Sequence, residues 1–271
     1  MKTTNPLFFI LCSLFLVALA ACSDIKDDER LIYVEPVATK RVVMIEDFTG
    51  QRCANCPKAA ETIESLIEAY GEDKIVPVAI HCDPMGFAGT ATVIGLRSEV
   101  SLAYGKNFNV QTQPIGTVNR IGGLTEYTSW ADVVREAIQK PTYTNLSCTT
   151  AYDEQTKEMT VTTQVTANDA LDARLQVMLL QDSIVAMQTM PNGKPDNSYM
   201  HNHVFRDYVN GDGGESVTLP SGGKTTNTSK IKLDNETLPS TTAKFVPANC
   251  YAVSFLYDAN GIIQVTSSKI K

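Results

Sequence analysis

The sequence predicts an α/β domain followed by an all-β domain, an antiparallel β-sandwich. Three observations carry that prediction. Strand and helix patterns alternate from Arg41 to Pro141, as they do where parallel strands are joined by helices. From Tyr143 onward the helical period is lost, and about seven short strand patterns rich in Thr and Val follow. Between the first strand and the first helix stand two cysteines, Cys53 and Cys56. The predicted boundaries are a leader at 1–21, a tether at 22–40, the α/β domain at 41–142 and the sandwich at 143–271.

The first strand is Val42 to Phe48, apolar enough to be buried on both faces. A helix follows from Lys58 to Tyr70. Ala59, Ile63, Leu66 and Ile67 recur at helical spacing, and Gly71 ends it. Ile75 to His81 is the second strand. Strand, helix, strand implies a right-handed crossover and a parallel pair. A loop at 84–91 leads to a second helix over Thr92 to Asn107. Pro114 then stands before a short strand. A third helix runs from Ser129, a candidate N-cap, to Lys140, and Pro141 stops it.

The second half is read from alternation and turns. Thr144 to Tyr152 and Met159 to Thr166 flank a hairpin turn at 153–157. Leu175 to Met187 reads as one long strand and 189–203 as a polar loop. Val204 to Val209, Ser216 to Leu219 and Lys230 to Leu233 are weaker strands, and 221–229 reads as a mobile loop. Tyr251 to Tyr257 and Ile262 to Ser267 flank Asp258-Ala259-Asn260-Gly261, the strongest hairpin signal in the chain.

The N-terminus reads as a targeting segment. Lys2 precedes an apolar run, Leu7 to Ala21, which is short for a membrane span and ends in small residues. Leu19-Ala20-Ala21-Cys22 resembles the bacterial lipobox. That resemblance implies cleavage before Cys22 and acylation of Cys22, palmitate included, so that a lipid anchors the chain to a membrane. Ser23 stands where an inner-membrane retention signal would have Asp. Lys26-Asp27-Asp28-Glu29 resembles an acidic export tag of Gram-negative surface lipoproteins; a solvated tether is the plain alternative. An outer-membrane lipoprotein is therefore expected, facing either the periplasm or the exterior. Loss of residues 1–21, whose one charge is Lys2, takes the formal charge from −7 to −8. An acidic chain argues against nucleic acid as a partner.

Cys12 falls in the leader, which leaves Cys53, Cys56, Cys82, Cys148 and Cys250 in a compartment that permits disulfides. Cys53 stands where a helix begins. Free N–H groups and the helix dipole there favour a thiolate. Cys56, inside the helix, would resolve a mixed disulfide.

Several features in register resemble the thioredoxin fold over about residues 41–141. Cys53-Ala54-Asn55-Cys56 has the Cys-x-x-Cys spacing. Asp47 lies six residues earlier on the strand, where that fold carries a buried carboxylate. Gln113-Pro114 stands where it carries a cis-proline. The resemblance implies four catalytic positions. Cys53 would be the exposed nucleophile and Cys56 the resolving thiol. Asp47 would carry the proton for Cys56, and Pro114 would leave the flanking backbone free to pair with a substrate strand. Arg52 and Ala54-Asn55 depart from the usual residues, which leaves the direction of electron flow open. Over nearly the whole chain the sequence is similar to the outer-membrane-protein-28-related lipoproteins. The lipobox, Glu46-Asp47-Phe48-Thr49-Gly50-Gln51-Arg52-Cys53, and His201-Asn202-His203-Val204-Phe205-Arg206-Asp207 carry that likeness. It implies an outer-membrane or surface lipoprotein, while the strand pattern of the second half is what suits an immunoglobulin-like sandwich.

The remaining candidates have plainer readings beside the functional ones. Cys82 reads as a buried thiol, or as a partner of the Cys53/Cys56 pair. Cys148 and Cys250 are candidates for a structural disulfide between the first and one of the last sandwich strands. His201 and His203 would share a face of an extended segment and are weak metal candidates. Loop anchoring by hydrogen bonds is the stronger reading for them. No cofactor is expected. Two functions follow: thiol–disulfide exchange on extracytoplasmic proteins, or binding and adhesion with the first domain as a scaffold.

Overall fold

The computed structural model describes residues 36–234 and 242–270. The leader, Cys12, Cys22 and the acidic tag lie outside the described residues. Among those described, the strands are β1 (Val43–Thr49), β2 (Ile75–His81), β3 (Ile115–Val118), β4 (Thr144–Asp153), β5 (Glu158–Ala167), β6 (Leu171–Gln181), β7 (Ile184–Val185), β8 (Gln188–Thr189), β9 (Pro195–Asp196), β10 (Met200–His201), β11 (Val204–Tyr208), β12 (Glu215–Leu219), β13 (Lys224–Lys232), β14 (Cys250–Asp258) and β15 (Gly261–Lys269). The α-helices are α1 (Cys56–Tyr70), α2 (Glu99–Asn107) and α3 (Trp130–Gln139). The fold is mixed α/β and rich in strand.

One large sheet runs β15-β14-β6-β11-β2-β1-β3, with β12 also paired to β6. Every residue of β1 is buried, as its apolar run requires. β1 pairs in parallel with β2 and antiparallel with β3. Val43 and Ile45 point to one face. There they meet Ala59, Ile63 and Leu66 of α1 and Trp130, Val134 and Ala137 of α3. Met44 and Phe48 point to the other face. There they share a core with Tyr104 of α2 and with Phe205, Met178, Val253 and Phe255.

That second core joins the two halves predicted as separate domains. The described residues from Pro36 onward form one unit by their contacts, and the sheet crosses the boundary expected at 143. The joint is the pairing of β11 with the outer edge of β2. It is parallel, with Val204 opposite Ala79 and the Ala79 N–H donating to the His203 carbonyl at 2.8 Å. Pro77, two residues earlier, lacks the N–H that would face the same edge, and pairing stops there. A three-stranded sheet, β13-β5-β4, packs Met159, Val161 and Val165 against Leu175, Val177 and Leu179 of β6. The two sheets thus share a core, and one of them is the sheet that begins at β3.

Local differences have local causes. The helix expected from Thr92 starts at Glu99, because Ser98 caps it and exchanges bonds with Ser101. The strand expected to reach Met187 ends at Gln181, with Ser183 at φ +59°. The stretch 221–229, expected as a loop, is largely β13, paired with β5 from Lys224 to Lys232. Both predicted hairpins form. Asp153 Oδ1 accepts the N–H groups of Gln155 and Thr156, and Asp258 Oδ1 accepts that of Asn260.

Candidate functional site

The end of β1 places the site. Gly50 turns the chain against the loop after β2, so closely that a Cβ would lie 2.4 Å from the Met85 carbonyl. Arg52 N–H donates to the same carbonyl at 3.0 Å. Cys53 and Cys56 are joined as a disulfide, Cα to Cα 5.4 Å. α1 opens at Cys56 with Pro57 in its first turn, where a missing N–H costs nothing. The Cys56 N–H points at Cys53 Sγ, 3.1 Å away. After reduction that N–H and the helix dipole would hold a thiolate on Cys53. Arg52 lies over the Phe87 ring at 4.7 Å and is exposed, in keeping with a solvated charge.

Cys53 is not the exposed group the sequence suggested: it is 4% exposed, and Cys56 is 3% exposed. β8 is hydrogen-bonded to the backbone around Cys53. Gln188 Nε2 donates to the Cys53 carbonyl at 2.9 Å, and Thr189 N–H donates to the Gln51 carbonyl at 2.8 Å. Gln51, itself fully buried, donates to the carbonyls of Ile94 and Met187 and accepts the N–H of Leu96. Backbone carbonyls in the disulfide loop thus find donors in the second half of the chain.

Asp47 is buried in β1, and its Oδ1 has no hydrogen-bond partner. Burial pushes its pKa up to about 8, so the carboxyl is protonated at neutral pH. It shares with Cys56 a cavity of about 630 Å³ between α1, β2 and residues 199–203. Gln113–Pro114 is cis, as is Asp83–Pro84. Gln113 ties the first of these loops down. Its Nε2 donates to the carbonyls of Thr49 and Cys82, and its Oε1 accepts the Met85 N–H. Asp47, Cys53 and Cys56 are therefore gathered at the end of β1, with the Pro114 loop fastened to Thr49.

The other candidates separate. Cys82 is a free, buried thiol, pushed up to about 12 mainly by burial. Cys148 and Cys250 are also free, against the expected bridge. Cys148 bonds to the Ser254 side chain. Ser254 lies four residues along β14 from Cys250, on the order of 13 Å, far beyond disulfide reach. His201 and His203 both line the same cavity but have different partners, and His203 has φ +58°. His203 Nδ1 meets the Tyr251 hydroxyl at 2.8 Å. The buried His201 ring instead stands edge-on to His81 at 5.1 Å and to Tyr199 at 4.8 Å. Among the described residues no group of three or more His, Cys, Asp or Glu is placed to hold a metal ion.

His81, Tyr199 and Gln188 line this cavity and were not foreseen. A signal existed for His81. It closes an apolar strand run as Asp47 interrupts another, and both lie toward the C-terminal ends of parallel strands, where sites form. Gln188 and Tyr199 reach the site only through tertiary pairing.

No curated protein matches the chain. Among solved structures, HBP35 of Porphyromonas gingivalis superposes with a TM-score of 0.63 at 16% identity, covering 85% of this chain and 76% of that one. The two share a fold over most of their length. A protein from Agrobacterium tumefaciens aligns at 19% identity over 85% of this chain and 95% of its own, with a TM-score of 0.44. The family model described as outer membrane protein Omp28 matches residues 101–271. That span is well over half of the chain and includes the His201–Asp207 segment that walls the cavity and joins the sheet, and it makes this chain a member of the Omp28 outer membrane protein family.

Proposed function

We propose that Cys53 and Cys56 are a redox pair exchanging disulfides with extracytoplasmic protein thiols, within a thioredoxin-like unit at residues 41–142. The order β1-α1-β2-α2-β3-α3, the parallel β1–β2 pair and the cis Gln113–Pro114 bond support the unit. The observation that carries the function is the placement of a buried, protonated Asp47 in the cavity that Cys56 lines. A partner thiolate attacks Cys53 Sγ and the Cys53–Cys56 bond breaks. The electron pair leaves on Cys56 Sγ, which takes the Asp47 proton. A second partner thiolate then displaces Cys53, and the partner leaves as a disulfide. Family membership puts the chain among outer membrane proteins. Acylation of Cys22 is the attachment we propose.

A second reading rests on the 4% exposure of Cys53. A pair so covered would be a static bridge in a scaffold for surface binding or adhesion. Cells expressing Cys56→Ser decide between them. The exchange reading expects mixed disulfides on Cys53, absent from Cys53→Ser/Cys56→Ser. No such adduct, together with reduction of the wild-type pair as slow as an inert bridge, would sink it. Fractionation of the same cells reads the anchor: Cys22→Ser should leave the membrane fraction, and its full retention there excludes attachment through Cys22.

A further inference from the structure

Two cavities lie end to end along α1. The first, about 630 Å³, is bordered by α1 from Cys56 to Ser65; the second, about 320 Å³, is bordered by the chain from Glu64 to Glu72. Glu64, Pro77, Met200, Asn202 and His203 line both, so the two form one groove between α1 and residues 199–203. From Cys56 to Glu72 the helix and its exit span about 24 Å, the length of about seven residues of extended chain.

The floor of the groove is an open strand edge. β11 pairs with β2 at Ala79, which turns its N–H outward to the His203 carbonyl. Pro77, two residues earlier, turns its backbone to the same side, with a carbonyl to offer and no N–H. From Pro77 back to Ile75 no strand is paired to this edge among the described residues.

The walls carry two kinds of side chain. Pro57, Ala60 and Met200 are apolar. Met200 is 54% exposed and stands opposite Val185, itself 49% exposed, in the β10–β7 pair. The rim is acidic, with Glu61, Glu64, Glu72 and Asp182. Against these stand His203, which meets Glu64 at 3.8 Å and Asp182 at 3.4 Å, and Lys269 in the second cavity. Glu61 and Glu72 are exposed and form no ion pair among the described residues. Burial and then the Glu61 carboxylate push the Tyr199 hydroxyl up, in keeping with concave walls that concentrate negative potential.

We propose that this groove binds an extended segment of a partner polypeptide in which lysine or arginine side chains alternate with apolar ones. A main-chain N–H of the segment donates to the Pro77 carbonyl. Its apolar side chains lie against Ala60 and Met200, and its cations meet Glu61 and Glu72 at the rim. Binding along a strand edge takes affinity from the main chain and specificity from alternate side chains. The groove ends at Cys56 but uses neither sulfur, so the assignment holds for an exchange partner and for an adhesion partner alike.

The test is fluorescence anisotropy of a labelled heptapeptide, lysine and valine in alternation, titrated with the purified chain. This peptide should bind, and one with glutamate in place of lysine should not. Glu61→Gln/Glu72→Gln should weaken binding about tenfold, the effect of two exposed ion pairs at the upper end of their usual strength. Glu136→Gln/Glu154→Gln, an equal loss of charge on α3 and in the β4–β5 turn, should leave it unchanged. Ala60→Trp, which fills the Cys56 end of the groove, should abolish it. Failure of the lysine peptide to bind, equal binding of the glutamate peptide, equal weakening by the two charge variants, or retained binding in Ala60→Trp overturns the assignment. Displacement by spermidine at an equal concentration of charge would make this a site for small cations and overturn the peptide as its occupant. Should Ala60→Trp fail to fold, the two charge variants still decide, because all four glutamates are exposed.

Discussion

At the scale of single residues, the buried side chains of Asp47, His81 and His201 make stability depend on pH in opposite directions. Asp47 keeps its proton in the folded chain up to about pH 8, whereas the unfolded chain loses it near 3.9. Between those values the native state binds the extra proton, so this contribution is full at low pH and is lost as pH rises to about 8. His81 and His201 behave oppositely. Their folded pKa values are depressed, the unfolded chain takes protons below about 6.5, and stability falls as pH drops from there. Two histidines outweigh one aspartate below 6.5. The sum predicts a maximum near pH 6.5 and a decline of roughly 1.4 kcal/mol per pH unit from there to about 8. Cys82, Cys148 and Cys250, all raised by burial, act only above about 8.5. Urea unfolding between pH 5 and 8.5 measures the profile. Asp47→Asn should remove the alkaline decline and keep the acid one; a wild-type profile flat from 6.5 to 8 contradicts the buried acid.

At the scale of elements, the two residues of β8 bind the backbone of the disulfide loop. Gln188 gives hydrogen bonds to the carbonyls of Cys53 and Gly50 and to its own neighbour Thr189. Losing a buried side-chain bond costs about 1.5 kcal/mol, and here the loss falls on the arrangement in which β8 holds the loop. Gln188→Ala is therefore expected to raise the rate at which dithiothreitol reduces the pair about tenfold, with little change in melting temperature. An unchanged rate would mean that β8 does not gate the sulfur. This contact also shows where the sequence stops being legible. β1, α1, β2 and the two hairpins could be read because each repeats a pattern or carries a turn residue at a required place. Asp47, Cys53 and Cys56 could be read because they lie within ten residues of one another. β13 could not. Its Thr, Ser and Asn side chains alternate between exposed and half-buried, and its order comes from the backbone ladder to β5. Nor could the left-handed residues Ser183, which falls inside the strand expected to reach Met187, and His203.

At the scale of the whole molecule, one core serves what the sequence divides in two. Met44, Phe48, Val76, Val78 and Ile80 come from β1 and β2; Met178, Leu180, Phe205, Val253 and Phe255 come from β6, β11 and β14. The buried Glu46 of β1 pairs with Arg120 at 2.9 Å, and that guanidinium stacks over Phe255 and Tyr257 of β14. The Ile262 N–H donates to the Asn119 carbonyl. A change of composition at residue 143 reports a change of architecture; it carries no information about which strand edges meet. The pairing of β11 with β2 spans more than a hundred residues and leaves no local trace. Separating the halves would expose the apolar face of β1 and β2, open the outer edge of β2 to solvent, and strip Arg120 of two rings. A fragment of residues 36–142 should then fail to give a cooperative melt, although it holds the whole disulfide site. The intact body should unfold in one calorimetric transition whose enthalpy equals the van't Hoff value. Two resolved transitions, or a fragment with native-like hydrogen exchange protection in β1 and β2, would show that the halves fold independently. In that case the cavity wall at residues 199–203 would be a docked surface, and the protons and sulfur of Cys56 would be reached by undocking it.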